Sequence, residues 1–238
     1  MAIKTVTVDF WDTIVQYPFT DTIFKMRVDH SFNIFKSYDI TYDTAEKLMH
    51  SIYGYFEDLW HNKRLTPTAK EMFLFIQNLI SLKLRKEHFE ELVSYNETLI
   101  TRDHFDLKPE IAAAIRSVSE KYNIVIISDT GFEPGREIKN SLKRHGLLEL
   151  FKYCVFSDET GFSKPDKRAF ELAAKVSGSD LSEMIHIGDR EAKDIVGSRS
   201  AGMKSVLYTG FRDDDKNITT ADYTAGSWQD VLNILQQV

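Results

Sequence analysis

Cysteine is almost absent from the chain. Cys154 is the only one in 238 residues, so no intramolecular disulfide can form. Its neighbours Tyr153, Val155 and Phe156 make it a buried strand residue in a reducing compartment rather than a reactive thiol. Long apolar runs are missing too: none approaches the ~20 residues needed to cross a bilayer. The N-terminus lacks a charged segment followed by an apolar run and a small-residue cleavage site, so no secretory signal is read and a cytoplasmic location is expected. There is no excess of positive charge either. Thirty basic against 36 acidic residues give a net −6, which argues against nucleic acid as a partner. No block of like charge forms a tail, and the mixed run Arg212-Asp213-Asp214-Asp215-Lys216 reads as a solvated loop. Internal repeats and low-complexity tracts are absent. What remains is an ordinary globular composition, 42% apolar and 28% charged, in a chain long enough for one large domain or two modest ones.

The chain begins with a β-branched run, Thr5-Val6-Thr7-Val8, that ends in Asp9-Phe10-Trp11-Asp12-Thr13-Ile14. Such a run reads as a strand, and Asp9 then sits at its carboxyl end, the edge where open α/β sheets bind ligands. Between Pro18 and Phe105 glycine is scarce and aromatics recur at helical spacing. Phe24, Val28, Phe32 and Phe35 share one face, as do Leu48, Ile52, Tyr55 or Phe56, and Leu59. Thr66-Pro67 reads as a helix start before the stripe Met72, Phe73, Ile76, Leu79 and Ile80. Phe89, Leu92, Val93 and Leu99 make a fourth stripe. The aromatics are expected to pack a small helical core. Lys25, Arg27 and His30 read as solvated helix residues.

From Leu107 helices and strands alternate. Pro109 opens a helix. Ile124-Val125-Ile126-Ile127 forms a strand ending at Ser128-Asp129, and a helix from about Pro134 to His145 stops at Gly146. Tyr153-Cys154-Val155-Phe156 is a strand ending at Ser157-Asp158-Glu159. Lys164-Pro165-Asp166 precedes another helix. Met184-Ile185-His186-Ile187 is a strand ending at Gly188-Asp189, followed by a helix to Gly202 and a strand at Ser205-Val206-Leu207-Tyr208. Ala221-Asp222-Tyr223 reads as a short edge strand, and Trp228, Val231, Leu232 and Leu235 line a final helix. Alternation of this kind predicts a doubly wound, Rossmann-like parallel sheet. The expected organisation is a core of residues 1–15 and 106–238 with an all-helical cap, residues 16–105, inserted after the first strand.

Four strand ends bring chemistry to one edge: Asp9 to Thr13, Ser128, Lys164, and Gly188-Asp189 with Asp194. Each alone is an ordinary turn, cap or surface group. Together and in this order, Asp9-Phe10-Trp11-Asp12-Thr13, Ser128, Lys164-Pro165 and Gly188-Asp189-Arg190-Glu191-Ala192-Lys193-Asp194 resemble the four motifs of the haloacid dehalogenase-like hydrolase superfamily. The stretch from Ser157 to Asp166 resembles its phosphatase-type members.

That resemblance implies a Mg²⁺-dependent hydrolase of a small phosphorylated metabolite. Asp9 would be the nucleophile and form an aspartyl-phosphate, Lys164 the bridging cation, and Ser128 the hydroxyl on a phosphoryl oxygen. Thr13 and Asp129 would lie on the substrate side. Asp9, Asp189, the Trp11 backbone carbonyl and Asp194 would make the metal centre, Asp194 by support. Family phosphatases carry a second Asp two residues after the nucleophile as general acid/base. Here Trp11 stands there, and indole can do neither job; Asp12 occupies the place usually held by glycine. A 2-haloacid-type dehalogenase is the competing enzyme, and a non-catalytic phospho-ligand-binding or protein-interaction module the competing non-enzyme. A membrane partner is not expected, and the assembly is expected to be a monomer or homodimer.

Overall fold

The computed structural model describes residues 2–18 and 20–238. In chain order the elements are β1 (Thr5–Val8), α1 (Asp21–Phe35), α2 (Tyr42–Lys63), α3 (Ala69–Leu79), α4 (Lys86–Asp103), α5 (Pro109–Ser119), β2 (Asn123–Ser128), α6 (Gly135–Arg144), β3 (Phe151–Phe156), the one-turn α7 (Ser157–Thr160), α8 (Lys167–Ser177), β4 (Met184–Gly188), α9 (Val196–Ser200), β5 (Lys204–Tyr208), β6 (Tyr223–Ala225) and α10 (Trp228–Leu235).

The strands form one parallel sheet in the order β3-β2-β1-β4-β5-β6. All four residues of β1 are buried, as expected of a central parallel strand covered on both faces. Val6 and Val8 join Ile126, Ile187 and Val206 in a core with α5, α6 and α10. Between the sheet's other face and α8, Val125, Ile127 and Val155 pack with Phe170 and Ala173. The chain runs outward from β1 to β2 and β3, then returns to β4 on the opposite side of β1. The strand order therefore reverses between β1 and β4, and the crevice outside their carboxyl ends is the ligand position of this architecture.

Helices α1–α4 all lie between β1 and β2 in sequence. They share a core of their own, in which Val28, Phe35, Met49, Ile52, Phe73 and Leu92 are buried. The helical spacing of these aromatics and aliphatics thus serves packing. One residue from outside the insert, Phe132 in the loop after β2, is buried in the same cluster.

Several boundaries differ from the sequence reading. The third helix of the insert is capped by Thr68, whose side chain accepts from the Glu71 N–H while Glu71 accepts from the Thr68 N–H, so this capping box starts the helix two residues beyond Thr66. The strand's expected end, Ser157-Asp158-Glu159, coils into α7. The helix expected to run to Gly202 begins with a π-helical turn, Glu191–Ile195. The edge strand is Tyr223–Ala225, two residues later than read, because Asp222 turns aside to accept from the Ser205 N–H and hydroxyl. Cys154 is buried in the core with its thiol pushed up to about 12 by burial, an inert group.

Candidate active site

Asp9 is the first residue past β1, and its N–H donates to the Ile187 carbonyl of β4 (2.8 Å). It is therefore fixed at the strand-order reversal. Asp189, the first residue past β4, is its counterpart. Asp194 comes from the π-helical turn, and oxygens of Asp9, Asp189 and Asp194 lie within 4.8 Å of one another, all three side chains buried. Three buried carboxylates this close repel strongly unless a cation is among them. One is supplied by Lys164, whose Nζ stands 2.8 Å from Asp9 Oδ1 and 2.6 Å from Asp194 Oδ1.

Electrostatics separate the three acids. Burial pushes Asp9 up to about 6, against the pull of Lys164. Asp189 is pushed up to about 8 by burial and then by the charges of Asp194 and Asp9. Burial also acts on Asp194, but Lys164 and His186 outweigh it and hold that carboxyl below the usual range. Lys164 is held fully protonated: Asp194, Asp9 and Asp129 outweigh the burial that works against its charge.

Asp194 is the most heavily bonded member. Its Oδ1 receives Lys164 Nζ and His186 Nε2 (3.0 Å), and its Oδ2 accepts from the Arg190 N–H (3.0 Å). A carboxylate only accepts, so His186 Nε2 carries the proton. Nδ1 then accepts from the Thr7 hydroxyl at 2.8 Å. Burial, opposed by Asp194, lowers the His186 pKa, consistent with a neutral ring. Gly188 is obligatory in this arrangement. A Cβ there would lie 2.2 Å from Asp194 Cγ, so the carboxyl group occupies the space a side chain would need. Gly188→Ala is expected to expel Asp194 and cost about 3 kcal/mol, the upper end for overpacking. Urea unfolding measures this, and a stability equal to wild type would show that Asp194 can move aside freely.

The turn after β1 closes with the Asp12 N–H donating to the Val15 carbonyl (2.7 Å). Asp12 has φ 54°, the left-handed region that favours glycine and that Asp tolerates. Its Oδ1 accepts from the Tyr17 N–H (2.9 Å), so this carboxylate ties down the turn. Thr13 is buried inside the same turn and its carbonyl accepts from Trp228 Nε1 (2.9 Å). The last helix thereby braces the segment that carries Asp9. The Trp11 indole packs edge-on against Phe10 and Tyr17, at centroid distances of 4.8 and 5.0 Å. It belongs both to the sheet core and to a small cluster of Ile23, Leu99 and Ile100 from the insert. Its apolar mass joins the two parts of the molecule.

Ser128 is buried at the end of β2, and the contact recorded for its hydroxyl is a long donation to the Asp129 carbonyl (3.4 Å). Asp129, read as lying on the substrate side, follows Ser128 directly. Its Oδ1 accepts from the Lys164 N–H (2.9 Å) and its Oδ2 lies 3.2 Å from Lys193 Nζ. The carboxylate faces protein groups.

Of the three basic residues read as solvated on α1, Lys25 is exposed and His30 stacks on Tyr95 at 3.7 Å. Arg27 overturns the reading. It is fully buried, paired with Glu133, bonded to the side-chain and backbone oxygens of Asn96 (2.9 and 3.0 Å), and stacked 4.0 Å over Phe132. A lone charge on an amphipathic helix looks solvated in sequence. Its partner Glu133 lies 106 positions away, so no local pattern announces the pair. His186 and Arg212 were also missed. His186 could have been suspected as the polar residue in an otherwise apolar strand. Arg212, in the run read as a solvated loop, donates to the Asp189 carbonyl at 2.8 Å and stands 3.4 Å from its Oδ2.

Comparison with known proteins places this geometry in context. Residues 3–202 match the haloacid dehalogenase-like hydrolase family. Pyrimidine 5'-nucleotidase YjjG of Escherichia coli is 26% identical over 128 residues, 53% of this chain and 56% of that protein. A glyceraldehyde 3-phosphate phosphatase of Methanothermobacter thermautotrophicus is 35% identical over 91 residues, 37% of this chain and 38% of that one. The matched stretch thus spans about half or less of these curated relatives. Among solved structures, a HAD phosphatase from Thermococcus onnurineus has a TM-score of 0.69 at 22% identity, covering 98% of both chains; at this identity the likeness is one of fold. The match over residues 3–202 leaves no ambiguity of family: the chain belongs to the haloacid dehalogenase-like hydrolases.

Proposed function

We propose that the protein is a Mg²⁺-dependent phosphatase of a small phosphorylated metabolite, working through an aspartyl-phosphate on Asp9. The observation that carries this reading is the buried Asp9–Lys164–Asp194 ion-pair chain with Asp189 beside it, at the reversal point of the sheet. Hard oxygen donors crowded against a single ammonium suit a hard divalent cation. Asp9, Asp189 and the Trp11 carbonyl would hold it. Asp194, with both oxygens already bonded, would act by fixing Lys164. Bound there, the ion supplies neutralisation of phosphate charge.

The chain's own groups do the rest. Asp9 attacks phosphorus and the leaving-group oxygen departs with the P–O electron pair. Lys164 keeps the attacking carboxylate and the phosphate oxygens from repelling each other, and Ser128 donates to one of those oxygens. Water then cleaves the acyl-phosphate and restores Asp9. Neither half-reaction has a carboxylate at position 11 to move its proton. Losing such a group is worth about 10²–10⁴ in rate, which favours acyl and aryl phosphates, whose leaving groups depart without protonation. The helices between β1 and β2, residues 16–105, would form the cap that excludes water from this edge.

The test is a substrate panel of acyl, aryl and alkyl phosphates with and without Mg²⁺, with a 2-haloacid as a further arm. Mg²⁺-dependent release of phosphate, strongest for acyl and aryl esters, is expected. Halide release without metal would select the dehalogenase instead, and tight ligand binding without turnover the non-catalytic module. Trp11→Asp is expected to raise alkyl phosphate turnover at some cost in stability, since the indole cements two packing clusters. Unchanged turnover in a folded variant would mean that another group already supplies the proton.

Linkage gives a test of the metal site that needs no substrate. The pKa values of Asp9 and Asp189 rise on folding from 3.8 to about 6 and about 8. The metal-free native state therefore binds more protons than the unfolded chain, and stability falls as pH rises through that window. The melting temperature without metal should decline from about pH 5 to about pH 8. Added Mg²⁺ should stabilise more at the upper end, where it displaces fewer protons. A Mg²⁺ effect independent of pH would show that these carboxylates do not bind it.

A further inference from the structure

Helix α2 belongs to the helical insert, yet its last turns touch both loops that face the proposed phosphate position. Phe56 lies against Gly131, three residues past Ser128: a Cβ on Gly131 would stand 3.2 Å from the Phe56 ring. One turn further on, the buried Trp60 donates its indole N–H to the carbonyl of Lys164 (3.1 Å). The segment after the helix continues the seam. The Ser163 N–H donates to the Arg64 carbonyl (3.3 Å), and the Thr66 hydroxyl bonds the hydroxyls of Ser157 (2.6 Å) and Ser163 (3.0 Å).

The main chain of Lys164 is consequently held on both sides by side chains. Asp129 takes its N–H and Trp60 holds its C=O. Those two side chains are themselves joined by Lys193, whose Nζ is 3.2 Å from Asp129 Oδ2 and 4.6 Å above the Trp60 ring. Lys164, Asp129, Lys193 and Trp60 thus form a closed ring of contacts drawn from the β3–α8 loop, the β2–α6 loop, the turn after β4 and the insert. Three of the four belong to the sheet's edge. Trp60 alone comes from the insert.

We propose that Trp60 is a positioning residue that sets Lys164, so that the ammonium is held where it bridges Asp9 and the phosphate only while the insert is docked. The inference rests on the reading of Lys164 as the phosphate-facing cation. A lysine ammonium moves freely about four side-chain torsions unless its ends are fixed. Asp194 and Asp9 fix the nitrogen; the Asp129–Trp60 clamp fixes the backbone from which it reaches. A shift of about 1 Å in a catalytic group can cost up to about 10² in rate, so a single hydrogen bond to the Lys164 carbonyl can govern activity from a residue that need not touch substrate. The insert then does more than cover the site, because its docking and the placement of Lys164 are one event.

The experiment compares Trp60→Phe with wild type in the full chain. Phenylalanine keeps a ring beneath Lys193 and removes the N–H together with part of the bicyclic indole. With Mg²⁺ present, inorganic phosphate binding is measured by calorimetry, and kcat and KM are measured on the best ester of the panel. The expected result is phosphate affinity and kcat each lowered by about tenfold and KM raised by no more than the phosphate dissociation constant. The variant should be folded with a modestly lower melting temperature, because the smaller ring leaves space at a buried site. In a Lys164→Met background the same substitution should change phosphate affinity no further. Wild-type phosphate binding and kcat in folded Trp60→Phe would overturn the proposal, as would an equal loss in both backgrounds. Should Lys164→Met fail to fold, the single variant still decides. If Lys164→Met folds and binds phosphate as well as wild type, the reading of Lys164 itself fails, and this inference with it.

Discussion

Asp9→Asn is expected to lose at least about 10⁴ of turnover while remaining folded, the scale seen when an enzyme's nucleophile is removed. The asparagine side chain has the same shape, so the turn closed by Asp12 and Val15 and braced by Trp228 has no reason to change. An amide oxygen, however, does not form the acyl-phosphate. Charge bookkeeping makes a second prediction for the same variant. Asp9 is buried and pushed up to about 6, and its charge faces Asp194 and Asp189. Neutralising it removes repulsion and leaves Lys164 paired with Asp194 at 2.6 Å. The metal-free variant should thus be as stable as wild type or more so near pH 8, yet bind Mg²⁺ more weakly. Activity loss with retained or increased stability is the mark of a group kept for chemistry. Activity loss with collapse of the fold would instead make Asp9 structural.

Lys164→Met is expected to fail in the opposite manner, losing stability and activity together. The ammonium is buried and is the cation that stands between Asp9 and Asp194. Removing one partner from a buried ion pair costs about 3–5 kcal/mol, because the other charge is left uncompensated. Here two carboxylates lose their partner, while Asp189 keeps Arg212 at 3.4 Å. Without the ammonium the Asp9 carboxyl must rise further and the Asp194 carboxyl must rise from its depressed position, so the variant's native state binds more protons than wild type. Its stability deficit should be largest near pH 8 and shrink toward about pH 5, and Mg²⁺ should recover part of it. Turnover should fall by about 10²–10³ even with saturating metal, the scale for losing one charge-stabilising donor. Denaturation at the two pH values, with and without Mg²⁺, checks the first statement and steady-state kinetics the second. A pH-independent deficit would mean that Lys164 matters by packing alone.

Much of this arrangement was legible in the amino-acid order because it is local. Asp9 follows a β-branched run, and Gly188-Asp189 ends another. The glycine is explained by a side chain six residues later that fills the space of its Cβ. The alternation of strands and helices predicted the parallel sheet, and the spacing of Val28, Met72, Phe73 and Leu92 predicted a helical core between β1 and β2. What could not be read depends on partners far apart in sequence. Arg27 and Glu133, Trp60 and Lys164, and Thr13 and Trp228 are separated by 106, 104 and 215 positions. Boundaries slipped where a polar side chain competed for the backbone, as Thr68 with Glu71 and Asp222 with Ser205 did. Asp129 illustrates the remaining limit. Its place beside Ser128 was evident, but whether its carboxylate faces a ligand or the Lys164 N–H depends on a loop 35 residues away.

The residue at position 11 makes the central claim directly measurable. If Asp9 accepts the phosphoryl group and no carboxylate stands at Trp11 to activate water, the acyl-phosphate forms faster than it is hydrolysed and accumulates. The measurement is an acid-quenched single turnover of a labelled aryl or acyl phosphate with Mg²⁺, followed by peptide mapping. The account predicts a near-stoichiometric burst of leaving group, with hydroxylamine-labile phosphate on Asp9 in wild type and none in Asp9→Asn. Turnover with no protein-bound phosphate, or with the label on another residue, would contradict it.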